Sequence, residues 1–293
     1  MSIGGKHLYT KEELRAIQLK SLEMFLYFKK ICDENNLLMY FCGGCCIGAI
    51  RHQGFIPWDD DIDVFMPRDD YEKLKQIWNE KADNDRYTCY APTKDFIDHN
   101  IFMTIRDSNT TFIKPYQKDL DINQGLMLDI MPLDGCPSGK FKRKMQKLWA
   151  LIYSLYCAQM VAKNHGKLVA LISKVMLFIV PSKNLRYKIW RFAEKKMTKY
   201  KISDCDYITE LCAGPHYMQN EYPKDIFESA VYKSFEGHQM PLPVGYDRYL
   251  KIAFGDYMKM PPVEKQVAHH DVVFFDLENS YKNYKGIYYL EEK

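Results

Sequence analysis

Behind Thr10 the apolar positions Leu14, Ile17, Phe25, Phe28 and Ile31 recur at three- and four-residue intervals, with Ser21 in the same series. That spacing predicts a helix running to about Asn35. Thr10 and Glu13 form a T-x-x-E capping box that sets its start. The period then changes. Residues 37–42 read as a short buried strand, Gly43-Gly44 punctuates it, and 45–52 read as a short helix stopped at Gly54. Pro57-Trp58 leads into Asp59-Asp60-Asp61-Ile62-Asp63-Val64-Phe65-Met66, predicted to open a second strand. A helix follows over 69–81 with Asp69 as its N-cap. Further strands are expected at 87–90, 101–106, 111–113 and 126–131, and a loop at 132–139.

Two apolar stretches come next, 148–162 and 168–180, separated by Lys163-Asn164-His165-Gly166-Lys167. Their lengths suit a helical hairpin, and a basic helix over 185–201 follows it. Residues 232–235 and 239–242 read as a β-hairpin, and 246–254 as a last helix ahead of Pro261-Pro262. There is no internal repeat and no low-complexity tract.

Charge changes this picture. Residues 138–201 hold sixteen Lys and Arg against one acid, Glu194, a net of +15 in a chain whose total is +3, so the remainder carries −12. A basic block inside an acidic chain points to a polyanion or an anionic membrane, with a solvated helical face as the plain alternative. The 293 residues suit one large domain, or one domain with a sizeable insertion. No apolar run reaches the ~18 residues of a spanning helix, and residues 1–11 contain no signal-peptide h-region. Nine cysteines without framework spacing read as reduced thiols in a cytoplasmic protein. Cys42-Gly43-Gly44-Cys45 is formally C-x-x-C, but no second pair or histidine stands at zinc spacing.

The candidate chemistry lies in the acidic stretch. On a strand, residues two apart share a face, so Asp59, Asp61 and Asp63 are expected together, with Ile62 and Val64 toward the core. Three like charges on one face need a counter-charge, and a hard divalent cation with oxygen ligands supplies it. Mg²⁺ is normally held by a few carboxylates plus substrate phosphates, so the motif implies a phosphate-bearing substrate. A Gly43-Gly44 turn ahead of a helix fits, because backbone amides and the helix N-terminus approach phosphate there. No P-loop and no Gly-x-Ser-x-Gly is present, which disfavours the common kinase and serine hydrolase classes.

From Gly43-Gly44 through IGAIRHQGFIPWDDDIDVFMPRDDY at 47–71 the chain resembles the LicD family of phosphotransferases, related to fukutin. LDIMPLDG at 128–135, FEGHQMPLPVGYDRYL at 235–250 and FGDYMKMPP at 254–262 extend the likeness. It spans most of the chain except the basic segment. The resemblance implies an α+β fold: a nucleotidyltransferase-like mixed sheet flanked by helices, with a basic helical insertion. The corresponding division is a catalytic core at 1–137, the insertion at 138–201, and a segment at 202–293 completing the catalytic module.

Carried over by residue, the resemblance makes Asp61 and Asp63 the metal-binding Asp-x-Asp and Asp59 a further acid. It also implies a third carboxylate on a neighbouring strand, assigned to Asp129, with Asp134 the weaker choice. Gly43, Gly44, Arg51 and His269 are assigned to substrate; His270 shares the family's terminal histidine position. For Arg51 the plain alternative is a surface arginine, and for the histidines a structural role. The implied cofactor is Mg²⁺ or Mn²⁺. The implied donor is a CDP-alcohol, typically CDP-choline, and the acceptor a hydroxyl of a lipid-linked cell-surface glycan or teichoic acid precursor.

Peripheral contact with the inner face of an anionic membrane is expected through 140–201, and no nucleic-acid partner. Three alternatives stay open: a nucleotidyltransferase proper or an Asp-x-Asp sugar-nucleotide glycosyltransferase, a Ca²⁺-binding scaffold protein, and use of the basic segment for RNA.

Overall fold

A computed structural model describes residues 2–3, 6–7, 9–162, 166–268 and 270–291. The chain divides into two compact units, one made of 1–90, 104–131 and 225–293, the other of 91–103 and 132–224. The basic stretch 138–201 therefore falls wholly within the second unit.

The first unit begins with a small antiparallel pair, β1 (Ser2–Ile3) and β2 (Lys6–His7). Helix α1 (Lys11–Glu34) follows, and its capping box is complete: Thr10 Oγ1 accepts from Glu13 N at 3.1 Å, and Thr10 N donates to Glu13 Oε2 at 2.7 Å. Its predicted apolar face, Ile17, Phe25, Phe28 and Ile31, is buried. Strand β3 (Tyr40–Phe41) is shorter than the 37–42 pattern suggested. Helix α2 (Gly43–Arg51) starts at the first glycine, so the Gly-Gly pair is the first turn of the helix and not a turn before it. Gly43 has φ +49°, the left-handed region that favours glycine.

Strand β4 (Asp63–Pro67) begins four residues later than the acidic motif implied. Helix α3 (Arg68–Lys81) has Pro67 at its N-cap, and Asp69 lies inside the first turn. Strands β5 (Tyr87–Tyr90), β6 (Met103–Asp107) and β7 (Thr111–Ile113) match their predicted places closely. Strand β8 (Leu126–Cys136) runs through Pro132, where a loop was expected, so Asp134 is a strand residue. The sheet of this unit places β4 between β3 and β8, and β8 beside β6, which pairs with β5.

In the second unit come α4 (Lys140–Ala158), α5 (Lys167–Ile179), α6 (Lys183–Met197), β9 (Tyr207–Thr209), the single turn α7 (Gly214–Tyr217) and β10 (Tyr222–Pro223). The end of β8 pairs antiparallel with β9, Asp134 opposite Thr209 and Cys136 opposite Tyr207. The helical hairpin expected from the two apolar stretches is not the main packing: α4 packs chiefly on α6, around Ala150, Tyr153, Trp190 and Met197. The linker residues Lys163, Asn164 and His165 lie outside the described residues.

The chain returns to the first unit with the hairpin β11 (Ala230–Phe235) and β12 (His238–Pro243), helix α8 (Tyr246–Phe254) and β13 (Phe274–Asp276), which pairs with β7. The hairpin turns at Glu236 and Gly237, both at positive φ (52° and 78°), as a type I′ turn requires. Phe235 meets Phe41 and Phe55 edge-on at 5.0 and 4.8 Å, which fastens the hairpin beside β3 and the loop after α2.

Candidate active site

The loop between α2 and β4 carries the acids, and several contacts hold its shape. A Cβ on Gly48 would stand 2.5 Å from Gly54 O, so the loop can lie directly on α2 only because that residue is glycine. Arg15 donates to both carboxylate oxygens of Glu236, at 3.0 and 2.6 Å, and Glu236 Oε1 also accepts from Phe55 N at 3.2 Å. The Arg15 hydrogen bond holds the Glu236 carboxyl below its ordinary range. Asp59 N donates to Ile56 O at 2.9 Å, and Gln18 Nε2 donates to Asp59 O at 2.9 Å. A turn thus precedes β4, and 59–62 are not extended strand.

Strand alternation is therefore not what places the acids, although Asp59, Asp61 and Asp63 do act on one another. Asp60 does not point away from its neighbours: His270 Nδ1 lies 3.1 Å from Asp60 Oδ1 and 3.6 Å from Asp61 Oδ2. Asp60, Asp61 and His270 bring one ligand atom each within 4.8 Å of one another. Asp63, first residue of β4, and Asp129, on the adjacent β8, join them from the sheet.

Burial raises the carboxyl of Asp59 well above its ordinary range, with the charges of Asp61 and Asp60 adding to it. Asp63 is raised well above its range in the same way, by burial and then by Asp61, Asp129 and Asp59. Asp61 is raised by burial although His270 and Lys114 oppose the shift. At ~4 Å and an effective dielectric near 20, two such charges repel by roughly 4 kcal/mol. The acids form one concentrated anionic centre.

Among the described residues Lys114 and His270 face it; Lys114 is not singled out in the sequence, whereas His270 is named there only for its terminal histidine position. Lys114 is buried just past β7. Burial works against its charge, but Tyr116, Asp129 and Asp61 outweigh that and raise its pKa. Its only sequence signal is a lysine ending the apolar run Phe112-Ile113 ahead of Pro115. Burial and Lys114 push His270 toward neutrality, yet its hydrogen bond to Asp60 and the charges of Asp61 and Asp60 prevail and raise its pKa. Among the described residues His270 is the histidine at the acids; His269, assigned to substrate from the sequence, lies outside the described residues.

The remaining assignments take different geometric roles. Gly43 N donates to Tyr249 Oη at 3.0 Å, so in this structure that amide is already engaged. A Cβ on Gly44 would stand 2.1 Å from Asp59 Oδ2. The glycine pair therefore seats the Asp59 carboxylate against the start of α2, where the helix N-terminus favours negative charge. Arg51 Nη1 donates to Tyr257 O at 3.0 Å and its Nε to His52 Nε2 at 2.9 Å, which ties α2 to the segment after α8. Asp134 is buried in the second unit, opposite Thr209. The cysteines, Cys42 and Cys45 included, are buried and form no disulfide, and burial raises Cys45 well above its ordinary range.

The residues fit a hard divalent cation. The donors are carboxylate oxygens with one imidazole, their mutual repulsion is incompletely answered by Lys114 and His270, and Asp129 Oδ1 is buried without a hydrogen-bond partner. Asp61, Asp63 and Asp129 would hold it, with Asp59, Asp60 and His270 close by.

Comparison with known proteins agrees with where these residues fall. The family model described as LicD/FKTN/FKRP, nucleotidyltransferase domain, matches residues 36–134. That span holds the glycine pair, the acidic loop, Lys114 and Asp129. The chain is 32% identical over 267 residues to the lipopolysaccharide cholinephosphotransferase LicD of Haemophilus influenzae, covering 89% of this chain and 97% of that protein. A shorter match, 36% identical over 61 residues, is to an uncharacterised protein of Rickettsia prowazekii, covering 20% of this chain and 23% of that one. An uncharacterised protein of Rickettsia typhi matches at 33% over 66 residues, 22% of this chain and 21% of that protein.

Proposed function

The chain belongs to the LicD family and is a phosphotransferase of that family, and from that premise we propose that it moves phosphocholine from CDP-choline onto a hydroxyl of a lipid-linked cell-surface glycan. The observation that supports this reading is the meeting of Asp61, Asp63 and Asp129 beside one buried lysine, with Asp59 against Asp61. Such a centre is repulsive when empty and suited to a cation that brings phosphates with it. Similarity to a protein named for choline phosphate transfer to lipopolysaccharide supports the choice of alcohol and acceptor.

In the proposed reaction the acceptor oxygen attacks the phosphorus that bears choline. A new P–O bond forms, the anhydride P–O bond to the cytidine monophosphate breaks, and the monophosphate leaves with the electron pair. Asp129, whose Oδ1 has no partner, takes the proton released by the acceptor hydroxyl. Mg²⁺ or Mn²⁺, when bound, neutralises charge on the phosphate oxygens. Lys114 holds positive charge beside Asp61 and Asp129, and His270 keeps Asp60 and Asp61 oriented through Nδ1.

The test is a panel of CDP-alcohols incubated with a glycan acceptor, with and without chelator. Release of cytidine monophosphate, restored by Mg²⁺ and accompanied by phosphocholine on the glycan, is expected. Transfer of the nucleotidyl group instead, with phosphocholine released, would mean attack on the other phosphorus and make the chain a nucleotidyltransferase proper. Metal binding without either product would refute the transfer.

A further inference from the structure

Helix α5 is inside out. Leu168, Leu171, Ile172, Val175 and Ile179 fall at i, i+3, i+4, i+7 and i+11, the spacing of a helix that buries one apolar face. Here that face points to solvent: Leu168 is 70% exposed, Phe178 83% and Ile179 68%. Only Ser173 and Leu177, on the opposite side of the helix, are buried. The helix is nonetheless held firmly in the second unit. Ser173 Oγ accepts from Ala162 N at 3.1 Å, and Arg186 donates to Leu177 O and Val180 O at 2.7 Å each, closing the C-terminal carbonyls.

The surroundings of the stripe are cationic. At about 100° per residue Lys167 and Lys174 fall together at one margin of it, and both are exposed. Lys183 and Lys188 of the adjoining α6 are exposed as well. The sole acid of 138–201, Glu194, is paired with Arg191. Among the described residues no single helix is long and apolar enough to cross a bilayer. The thirteen residues of α5 span about 20 Å, short of the ~30 Å hydrocarbon core. Helix α5 and the following 183–204 together are long and apolar enough, but they meet at a bend of 119° and do not form one straight span.

We propose that α5 lies in the plane of an anionic lipid surface, with Leu168, Leu171, Ile172, Val175, Phe178 and Ile179 among the acyl chains and the flanking lysines on the headgroups. An exposed apolar stripe with basic margins is the composition of interfacial helices. A second copy of the chain is disfavoured as the occupant. A twofold contact would place the same patch on itself, and with it two segments of +15 each. A polyanion without an apolar layer would leave the aliphatic stripe in water. The inference rests on α5 and its neighbours alone, and not on the reaction proposed above.

Flotation of the full chain with vesicles tests it. Phosphatidylcholine mixed with phosphatidylglycerol should bind the protein at low salt, phosphatidylcholine alone much less, and high salt should release it. Phe178→Asp or Leu168→Asp should weaken binding ~10-fold or more, with the thermal midpoint unchanged because both side chains are exposed. Lys167→Gln with Lys174→Gln should weaken it by a similar factor and flatten the salt dependence. Phe178→Trp should shift its emission to the blue on adding anionic vesicles. Failure of the unaltered chain to float at low salt would overturn the proposal. So would full binding by Phe178→Asp, or a dimer in solution that this change dissolves while no vesicle is bound.

Discussion

Replacing Gly44 by alanine tests whether the glycine pair exists to seat Asp59. The added methyl would stand 2.1 Å from Asp59 Oδ2 and 3.1 Å from its Cγ. Ordinary contact begins near 3.4 Å, so the carboxylate must move by more than an ångström. It has little freedom to do so, because Asp59 is buried, its N–H is held by Ile56 O and its carbonyl by Gln18. Overpacking of this kind costs about 1–3 kcal/mol, and a misplacement of about 1 Å at a site costs roughly 100-fold in rate.

Gly43→Ala is the control. Nothing lies within 4 Å of its Cβ, but φ +49° imposes a left-handed strain of about 1–2 kcal/mol. The two variants should therefore lose similar stability by thermal melting, while only Gly44→Ala should lose most of the rate of cytidine monophosphate release. In a double variant, Asp59→Ala should restore stability to Gly44→Ala without restoring rate, a coupling that a mutant cycle measures. Near-normal turnover by Gly44→Ala, or equal loss of rate in both glycine variants, would refute the argument.

Asp61→Asn and Asp63→Asn should each abolish turnover in the same assay. Their metal-free thermal midpoints should equal or exceed that of the unaltered chain, since burial and neighbouring acids already disfavour the charged forms. Lys114→Met removes a buried cation and should destabilise the chain by about 3 kcal/mol at neutral pH; the loss in denaturant titrations should shrink as pH is lowered and the raised carboxyls of Asp61 and Asp63 take up protons. Glu210, in the second unit, is buried and its carboxyl is raised to about 7, against hydrogen bonds from Tyr222 and Asn220 that favour the charged form. Its folded value exceeds its unfolded one, so its contribution is full below about pH 4.5 and is lost as pH rises to about 7, a fall on the order of 3 kcal/mol. Glu210→Gln should remove that fall, measured as the difference between the two chains in denaturant titrations across this range.

Local signals were sufficient where the deciding physics is local. The capping box and apolar face of α1, the span of α8 and the β11–β12 hairpin with its Gly turn were legible because caps, periodicity and turn chemistry act within a few residues. The acidic motif and its likeness to the LicD family were legible too, because that chemistry is written in one contiguous stretch. Tertiary structure decided the rest. Residues 59–62 read as strand from their alternation, but Gln18 and the glycines of α2 hold the loop through a turn at 56–59, so the acids ahead of β4 are not extended strand and Asp60 joins the cluster. Asp60 and His270 are 210 residues apart, and Lys114 acts on Asp61 from 53 positions further along the chain (114 − 61), so no local window contains these pairs. Strand β8 continues through Pro132 despite the missing N–H, and α4 packs chiefly on α6 where adjacency suggested α5. Periodicity reports that a residue has an apolar face; which surface covers that face, or whether water or lipid does as at α5, depends on elements the local sequence does not contain.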